Sequence, residues 1–154
     1  MTADPTNQAS SGLVLTRARQ GVLVQDEAGQ KHWCRVPGKG RTMGMPAPGD
    51  RVRFKPSGKT KDGVIVSINE RESLLERFVY GKKKELAANI EQILILATLR
   101  EPIVSPRLVD RMLVGASLGK MEPIIVLNKL DLVDEVEVNS YLEPWRSVYP
   151  IHTI

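Results

Sequence analysis

Two segments rich in aliphatic residues constrain the fold of this chain more than any other feature. They are IEQILILATL at residues 90–99 and EPIIVLN at residues 122–128. A strand that is buried on both faces appears as a continuous apolar run, and such strands are typical of parallel sheets whose strands are joined by helices. The segment between the two runs, SPRLVDRMLVGASLG at 105–119, predicts such a helix, with Ser105 as its N-cap and Pro106 in its first turn.

The predicted helix and a second crossover produce a β-α-β-α-β order. Gly119 is expected to close the first helix, and Leu108, Met112 and Leu113 lie at helical spacing on one expected apolar face. This order predicts part of a doubly wound α/β sheet over residues 90–154.

The second crossover begins with a capping signature. Asp134 is followed three residues later by Glu137, which is typical of a capping box at a helix start. The segment YPIHTI at 149–154 then begins a third strand. The sequence therefore predicts three parallel strands in this region.

The second aliphatic run ends in Asn128-Lys129-Leu130-Asp131. This is the carboxyl end of a predicted parallel strand, where ligands bind in open α/β sheets. The Asp131 carboxylate can accept hydrogen bonds from N1–H and the 2-amino group of guanine, whereas adenine presents an unpaired acceptor at N1. Asn128 can bond the base edge, and Lys129 can lay its aliphatic stem along the base. The motif predicts guanine binding by these three residues; the alternative is an ordinary strand-to-helix loop.

No phosphate-binding loop of the form Gly-x4-Gly-Lys-Ser/Thr joins a strand to a helix in the 154 residues. The segment SGKT at 57–60 lacks the earlier glycine and precedes a predicted strand, and GASLGKM at 115–121 ends a predicted helix. We interpret the first as a hairpin loop, the second as a helix end, and DEAG at 26–29 as a turn. No nucleophile, base and orienting group occur together, so the sequence assigns no catalytic residue.

Residues 11–72 follow a different pattern, in which short alternating strands are separated by Gly/Pro-rich turns. Five such strands with a long central loop predict a small β-barrel of the OB type, with an SH3-like barrel as the alternative. Residues 1–10 are expected to form a flexible tail, and residues 73–89 a charged linker. The predicted fold class is therefore an all-β barrel followed by an α/β region at 90–154.

Positive charge is concentrated in the first part of the chain. Residues 1–85 hold 16 Lys/Arg and 9 Asp/Glu, a net charge of +7, whereas residues 86–154 carry −3. A basic barrel favours a polyanionic partner such as RNA, although a solvated surface is the alternative. The candidate RNA-binding residues, which lie on or near the barrel strands and loops, are Arg17, Arg19, Lys31, Arg35, Lys39, Arg41, Arg51, Arg53, Lys55, Lys59 and Lys61.

Trp33 and Phe54 are the aromatic residues of the barrel that could stack on bases. We expect both to fill the core, because a small barrel has few large residues to occupy it. Cys34 is the single cysteine and is expected to be buried, and together with His32 and His152 it provides too few ligands for a structural zinc site. One thiol without an internal partner, no secretory signal and no membrane-spanning run favour a cytoplasmic location.

Several stretches, taken as an ordered set, resemble the RsgA/YjeQ family of ribosome small-subunit-dependent GTPases with circularly permuted G domains. They are PGDRVRFKP, DGVIVSINERESLLER, ANIEQILILATLREP, LVDRMLVGASLGKMEPIIVLNKLDL and YPIHTI. The resemblance implies an OB domain that contacts ribosomal RNA, a G domain that uses GTP or GDP with Mg²⁺, and a C-terminal zinc module. It also implies a role in late maturation of the small ribosomal subunit. Only Asn128, Lys129 and Asp131 carry over as nucleotide contacts.

The sequence stops before the P-loop, the switch regions and the zinc ligands that the resemblance implies. We therefore expect a truncated or partial chain that does not hydrolyse GTP alone and that exposes an apolar sheet edge and face. Such a surface favours self-association. The alternative function is a non-enzymatic RNA-binding OB module with a vestigial α/β extension.

Overall fold

The computed structural model describes residues 9–40, 44–57 and 62–154, which form two compact units at residues 1–89 and 90–154. Most of the expected flexible tail at 1–10 lies outside the described residues. In chain order the elements are β1 (Ser10–Ala18), β2 (Gly21–Asp26), β3 (Lys31–Arg35), β4 (Arg51–Pro56), β5 (Asp62–Ile68), β6 (Leu74–Val79), β7 (Lys82–Ala88), β8 (Gln92–Thr98), α1 (Pro106–Leu118), β9 (Glu122–Asn128), α2 (Glu135–Leu142) and β10 (Ile151–Thr153). Neither helix has the length and hydropathy needed to cross a membrane within the residues described.

Strands β1 to β5 form a closed barrel in the order β1-β2-β3-β5-β4. Strand β1 pairs with both β2 and β4, which closes the barrel, and β3 pairs with β5 in parallel. This topology confirms the OB-type barrel and not the SH3-like alternative. The core contains the inward residues of the alternating strands, namely Val14, Val22, Val24, Cys34, Val52, Phe54 and Ile65.

The segment 73–89, interpreted from the sequence as a linker, contains an antiparallel hairpin. Strands β6 and β7 pair with each other, and Tyr80 and Gly81 form the connecting turn with positive φ angles of 49° and 72°. Two consecutive positive φ angles suit the right-handed twist of a two-residue hairpin. The linker interpretation was wrong because charged residues at many strand positions concealed the β pattern. The hairpin belongs to the same compact unit as the barrel.

The foot of this hairpin is held by three side chains that we call the clasp: Asp50, Arg71 and Asn89. Arg71 Nε and Nη2 each donate to one oxygen of the buried Asp50 carboxylate, at 2.8 Å in both cases. Asn89 Nδ2 donates to the carbonyl oxygen of Gly49 at 2.9 Å, and Asn89 Oδ1 accepts from the Glu72 N–H at 2.9 Å. The clasp therefore joins the loop before β4 to both ends of the hairpin.

Strands β8, β9 and β10 form a parallel sheet with β9 in the centre. This confirms the predicted β-α-β-α-β order. Because β8, β9 and β10 follow one another across the sheet, connections of the usual right-handed sense place α1 and α2 on one face, and both helices pack into one core. The shared core on that face includes Ile95, Ala97, Val109, Leu113, Ile125, Leu127, Tyr141, Leu142 and Trp145.

The other face of this sheet differs from the expectation that residues 90–99 are buried on both sides. Leu94 and Leu96 are 66% and 55% exposed, and their partners in the register, Ile124 and Val126, are half-buried. The reason is that both helices lie on the opposite face. The continuous aliphatic pattern therefore leaves an apolar surface over β8 and β9.

The ends and the buried face of α1 also differ in detail from the sequence-based expectations. Pro106 occupies the first turn as predicted, but the Ser105 side chain makes no capping hydrogen bond. Gly119 follows the helix with an ordinary φ of −82°, and the left-handed residue is Lys120 with φ of 57°. The buried face consists of Val109, Leu113 and Ala116, whereas the predicted Met112 is exposed. The buried positions 109 and 113 each lie one residue after the predicted positions 108 and 112.

Candidate guanine-binding and RNA-binding sites

Asn128, Lys129 and Asp131 lie together at the carboxyl end of the central strand, β9. Asn128 is the last residue of the strand, and its Oδ1 accepts from the Lys129 N–H at 2.6 Å. Lys129 has left-handed angles, φ 65° and ψ 45°, and turns the chain into a 3-10 turn at Leu130–Leu132. The abrupt end of the strand is thus produced by the first two residues of the motif. The third residue, Asp131, is carried on the turn.

The Asp131 carboxylate is exposed and, within the described part of the chain, it takes part in no hydrogen bond or ion pair. Its oxygens are therefore available to accept hydrogen bonds from a ligand. A carboxylate already committed to a buried salt bridge would not have this capacity. The geometry thus leaves Asp131 able to bind the N1–H and 2-amino edge of guanine.

The loop after β8, residues 99–104, contacts the motif directly. Lys129 Nζ donates to the carbonyl oxygen of Glu101. Arg100 Nη2 donates to both carboxylate oxygens of Glu137, at 2.8 and 2.9 Å. Glu137 is held in turn by the helix start, since its N–H donates to the Asp134 side chain at 2.8 Å. The predicted cap at Asp134 is present, but the Glu137 side chain turns to Arg100 and not back toward the cap.

A groove of about 680 Å³ lies between α2 and β10. Its lining includes Leu130, Val133, Leu142, Tyr149 and Ile151. Through Leu130 the groove borders the turn that carries Asp131, but Asn128, Lys129 and Asp131 do not line it. We therefore do not assign it to the guanine base.

The described residues bring no three His, Cys, Asp or Glu side chains together in a cluster that could hold a metal ion. No ligand set for Mg²⁺ or zinc is therefore assigned among them. In GTPases, Mg²⁺ bridges the β- and γ-phosphates of the nucleotide and neutralises developing charge.

The outer face of β3 presents Lys31, Trp33 and Arg35. The intervening residues His32 and Cys34 point into the barrel and are buried, so the other three face outward. Phe54 is a core residue as predicted, but Trp33 is half-exposed on the outside, and the expectation that it fills the core was wrong. An indole between two cations is suited to stack on a base while the cations contact phosphates.

Strands β5 and β4 continue this surface. The register places Arg35 of β3 beside Val64 of β5, and Val64 beside Lys55 of β4. Arg51 and Arg53 also lie on the outward side of β4. Six residues predicted or considered for RNA contact thus point outward from β3 and β4, the two strands that flank β5, and we call this set the barrel face: Lys31, Trp33, Arg35, Arg51, Arg53 and Lys55.

Two other predicted RNA-binding residues, Arg17 and Arg19, are not part of the barrel face. Arg17 is half-buried, and its guanidinium donates to the carbonyl oxygens of Pro46 at 3.1 Å and Glu85 at 3.4 Å. Arg17 thereby contributes to attachment of the hairpin to the barrel. Arg19 is exposed in the turn between β1 and β2. Outside the described residues lie Arg41, Lys59, Lys61 and the side chain of Lys39.

The hairpin exposes a second group of aromatic and basic residues that the sequence analysis did not assign. Phe78 and Tyr80 are 71% and 101% exposed, and Lys82, Lys83 and Lys84 follow on the other strand. Lys83 Nζ lies 5.9 Å from the centre of the Phe78 ring, within cation–π range. We call these five residues the hairpin tip. The Tyr-Gly turn flanked by Phe and three lysines was the available sequence signal.

The family model of the RsgA GTPase matches residues 68–154. The small ribosomal subunit biogenesis GTPase RsgA of Photorhabdus laumondii is 36% identical over 92% of this chain and 41% of its own length. The protein of the same name from Chlorobaculum parvum is also 36% identical, over 92% of this chain and 50% of its own length. The chain thus spans between two fifths and half of these relatives.

Solved structures give the same result. The crystal structure of YjeQ from Thermotoga maritima is similar with a TM-score of 0.71 and 30% identity, covering 95% of this chain and 51% of that one. YloQ, a circularly permuted GTPase, is similar in fold, with a TM-score of 0.66, 22% identity, and coverage of 99% of this chain and 54% of that one. The resemblance found in the sequence is confirmed, and the chain belongs to the RsgA GTPase family.

Proposed function

We propose that this chain supplies the base-recognition and RNA-binding parts of a cytoplasmic GTPase that acts in late maturation of the small ribosomal subunit. The observation that carries the proposal is the free, exposed Asp131 carboxylate at the carboxyl end of β9, next to Asn128 and Lys129. Relatives that match most of the chain carry the name small ribosomal subunit biogenesis GTPase.

In this proposal Asp131 accepts two hydrogen bonds from guanine, at N1–H and at the 2-amino group. An adenine base would face the same carboxylate with an acceptor and without the second donor. A site built to bond such donors rejects a ligand that lacks them, because its polar groups are left unpaired. Asn128 contacts the base edge, and the stem of Lys129 covers one face of the base.

The nucleotide in this proposal is GTP or GDP, with Mg²⁺ held through the phosphates. The 154 residues contain no Gly-x4-Gly-Lys-Ser/Thr loop between a strand and a helix. By themselves they are therefore expected to bind guanine nucleotides weakly and not to hydrolyse GTP. Their proposed contribution is selection of the base.

The proposed RNA partner is ribosomal RNA of the small subunit. On the barrel face, Trp33 would stack on a base while Lys31, Arg35, Arg51, Arg53 and Lys55 neutralise phosphates. On the hairpin tip, Phe78 and Tyr80 offer exposed rings beside three lysines. Two separate sets of rings and cations on one compact unit suit an extended or folded RNA more than a small anion.

The guanine proposal is tested by titrating the chain with GDP and with ADP at millimolar concentrations and following amide NMR shifts. We expect shifts at residues 128–131 with GDP, at least about tenfold weaker binding of ADP, and a similar loss of GDP binding in Asp131→Asn. The control is Glu143→Gln, which removes an exposed carboxylate elsewhere in the same unit.

Equal binding of GDP and ADP, or GDP binding that is unchanged in Asp131→Asn, would contradict the guanine proposal. RNA binding without any response to GDP would support the non-enzymatic RNA-binding module in its place.

A further inference from the structure

Two consecutive residues, Arg100 and Glu101, contact the chain on both sides of Asp131. On the N-terminal side, the Glu101 carbonyl oxygen accepts from Lys129 Nζ. On the C-terminal side, Arg100 makes two hydrogen bonds, of 2.8 and 2.9 Å, to the carboxylate of Glu137. The nine residues 129–137 are therefore held at both ends by one dipeptide, and Asp131 lies between the two points of attachment.

We propose that Arg100 and Glu101 form a brace that positions Asp131 for base recognition. This inference rests on the proposed guanine binding, and it assigns a role to a loop outside the motif. Arg100 is a positioning residue here, since it acts through Glu137 and is not required to touch the nucleotide. The brace contacts the chain that carries Asp131 through two partners, Lys129 and Glu137.

Asp131 needs such support because of where it lies. Its carboxylate is exposed and has no partner of its own among the residues the structure describes. Lys129, two residues before Asp131, has a left-handed backbone conformation. A residue other than glycine keeps this conformation only when its surroundings stabilise it. An exposed turn that is free to move would present the carboxylate in many orientations, and the cost of ordering it would reduce affinity for the base.

The brace is itself fixed to the core of the unit. Thr98 Oγ1 donates to the Pro102 carbonyl oxygen, and the Val104 N–H donates to the Thr98 carbonyl oxygen at 2.8 Å. The Tyr141 hydroxyl, on a buried side chain of α2, donates to the Val104 carbonyl oxygen at 2.8 Å. The loop that carries Arg100 and Glu101 is therefore tied to β8 and to α2. Because this loop is held by the core and also contacts the motif, it can restrict the motion of the motif.

The Arg100–Glu137 pair is solvent-accessible, with side chains 43% and 42% exposed. Exposed ion pairs of this kind contribute little to global stability. Removal of Arg100 should therefore loosen the motif without unfolding the unit. This separates a positioning role from a purely structural one.

The test compares GDP affinity, the unfolding midpoint and the ¹⁵N relaxation of the Asp131 amide in matched variants. We expect Arg100→Ala to weaken GDP binding about 3- to 10-fold, to shift the unfolding midpoint by less than about 2 °C and to increase motion at Asp131. The charge-reversed pair Arg100→Glu with Glu137→Arg should recover much of the affinity. Arg107→Ala, an exposed arginine on α1, is the control and should leave all three quantities unchanged.

The outcomes distinguish the brace from the proposed function on which it rests. If the unaltered chain does not bind GDP, the proposed guanine function fails and the brace fails with it. If the unaltered chain binds GDP and Arg100→Ala binds it equally well, only the brace is overturned. A loss of affinity accompanied by a comparable loss of stability, or no recovery in the charge-reversed pair, would also overturn the positioning role.

Discussion

Arg71 and Asp50 form a two-point ion pair whose carboxylate is completely buried. Both hydrogen bonds are 2.8 Å long, and the Ala47 N–H donates a third to Asp50 Oδ2 at 2.7 Å. Hydrogen bonding to Asp50 raises the pKa of the Arg71 guanidinium above its ordinary value. Because all of these contacts converge on one buried charge, loss of either partner leaves a charge without compensation.

We therefore expect Arg71→Ala to lower the free energy of unfolding of the barrel unit by about 3 kcal/mol. Urea denaturation followed by fluorescence measures this change. The matched control is Lys83→Ala, which removes the exposed ion pair with Glu76 and should cost less than about 1 kcal/mol. Equal effects of the two substitutions would contradict the prediction, because the Arg71–Asp50 pair would then stabilise the unit no more than an exposed ion pair does.

Gly49 is expected to tolerate no side chain. Its φ is +90°, and a Cβ atom there would lie 2.0 Å from the carbonyl oxygen of Ala88. Gly81 also has a positive φ, of +72°, but a Cβ there would meet no atom within 4 Å. Gly49→Ala should therefore destabilise the chain by at least about 2 kcal/mol more than Gly81→Ala, since only the first adds a clash to the backbone strain. Parallel denaturation curves of the two variants test this, and similar midpoints would contradict it.

Cys34 should be unreactive in the folded protein. Burial, with a further contribution from Asp62, raises the pKa of its thiol from 9.0 to about 11. At pH 8 roughly one thiol in a thousand is then ionised, and the sulfur is buried in the barrel. A thiol reagent should label the protein fully in denaturant and hardly at all in buffer. Rapid labelling in buffer would contradict the burial of Cys34.

The same shift predicts an alkaline loss of stability. The folded state keeps the thiol protonated, so its contribution is complete below pH 9 and is lost as the pH rises from 9 to about 11. Cys34→Ser removes the thiol and serves as the comparison. The unfolding free energy of the unaltered chain should fall more steeply over this interval than that of the variant.

RNA affinity should depend on exposed rings more than on buried ones. Trp33→Ala and Tyr80→Ala are each expected to weaken binding of a single-stranded RNA by about 1–3 kcal/mol if one base stacks on each ring. Lys82→Ala should weaken binding uniformly across sequences and reduce the salt dependence by about one ion. Fluorescence anisotropy at several salt concentrations measures both effects. Arg17→Ala, whose guanidinium is used within the fold, should alter stability more than the salt slope.

The apolar surface on β8 should cause self-association. Leu94 and Leu96 are more than half exposed and adjoin Ile124 and Val126. Replacement of both leucines by lysine should shift a concentration-dependent mixture toward monomer in sedimentation experiments, because exposed apolar patches promote association. A monodisperse monomer of the unaltered chain at high concentration would contradict this prediction.

Local periodicity was sufficient to predict most of the architecture. The strand at Glu122–Asn128 was predicted with its exact limits, and the start of α2 was predicted from Asp134 and its position three residues before Glu137. These features depend on neighbours in the sequence. The motif itself was also placed correctly at the end of β9, because it follows directly from the aliphatic run.

Features that depend on distant partners were not predictable. Trp33 faces outward because His32 and Cys34 fill the core, and the sequence alone does not give the direction of the alternation. The Arg100–Glu137 pair joins residues 37 positions apart and replaces the local capping contact that the sequence favoured. The hairpin at 74–88 was not predicted, because its exposed charged residues resemble those of a linker.

Attachment of the hairpin to the barrel has a consequence for any ligand long enough to contact both. Asn89, Arg71 and Arg17 attach the base of the hairpin to the barrel, so the hairpin tip and the barrel face belong to one compact unit. A polymer bound at one of these two surfaces meets the other at a high effective concentration, provided that its own shape matches the distance between them. The protein would then discriminate among folded polyanions by their dimensions and not by sequence-specific contacts.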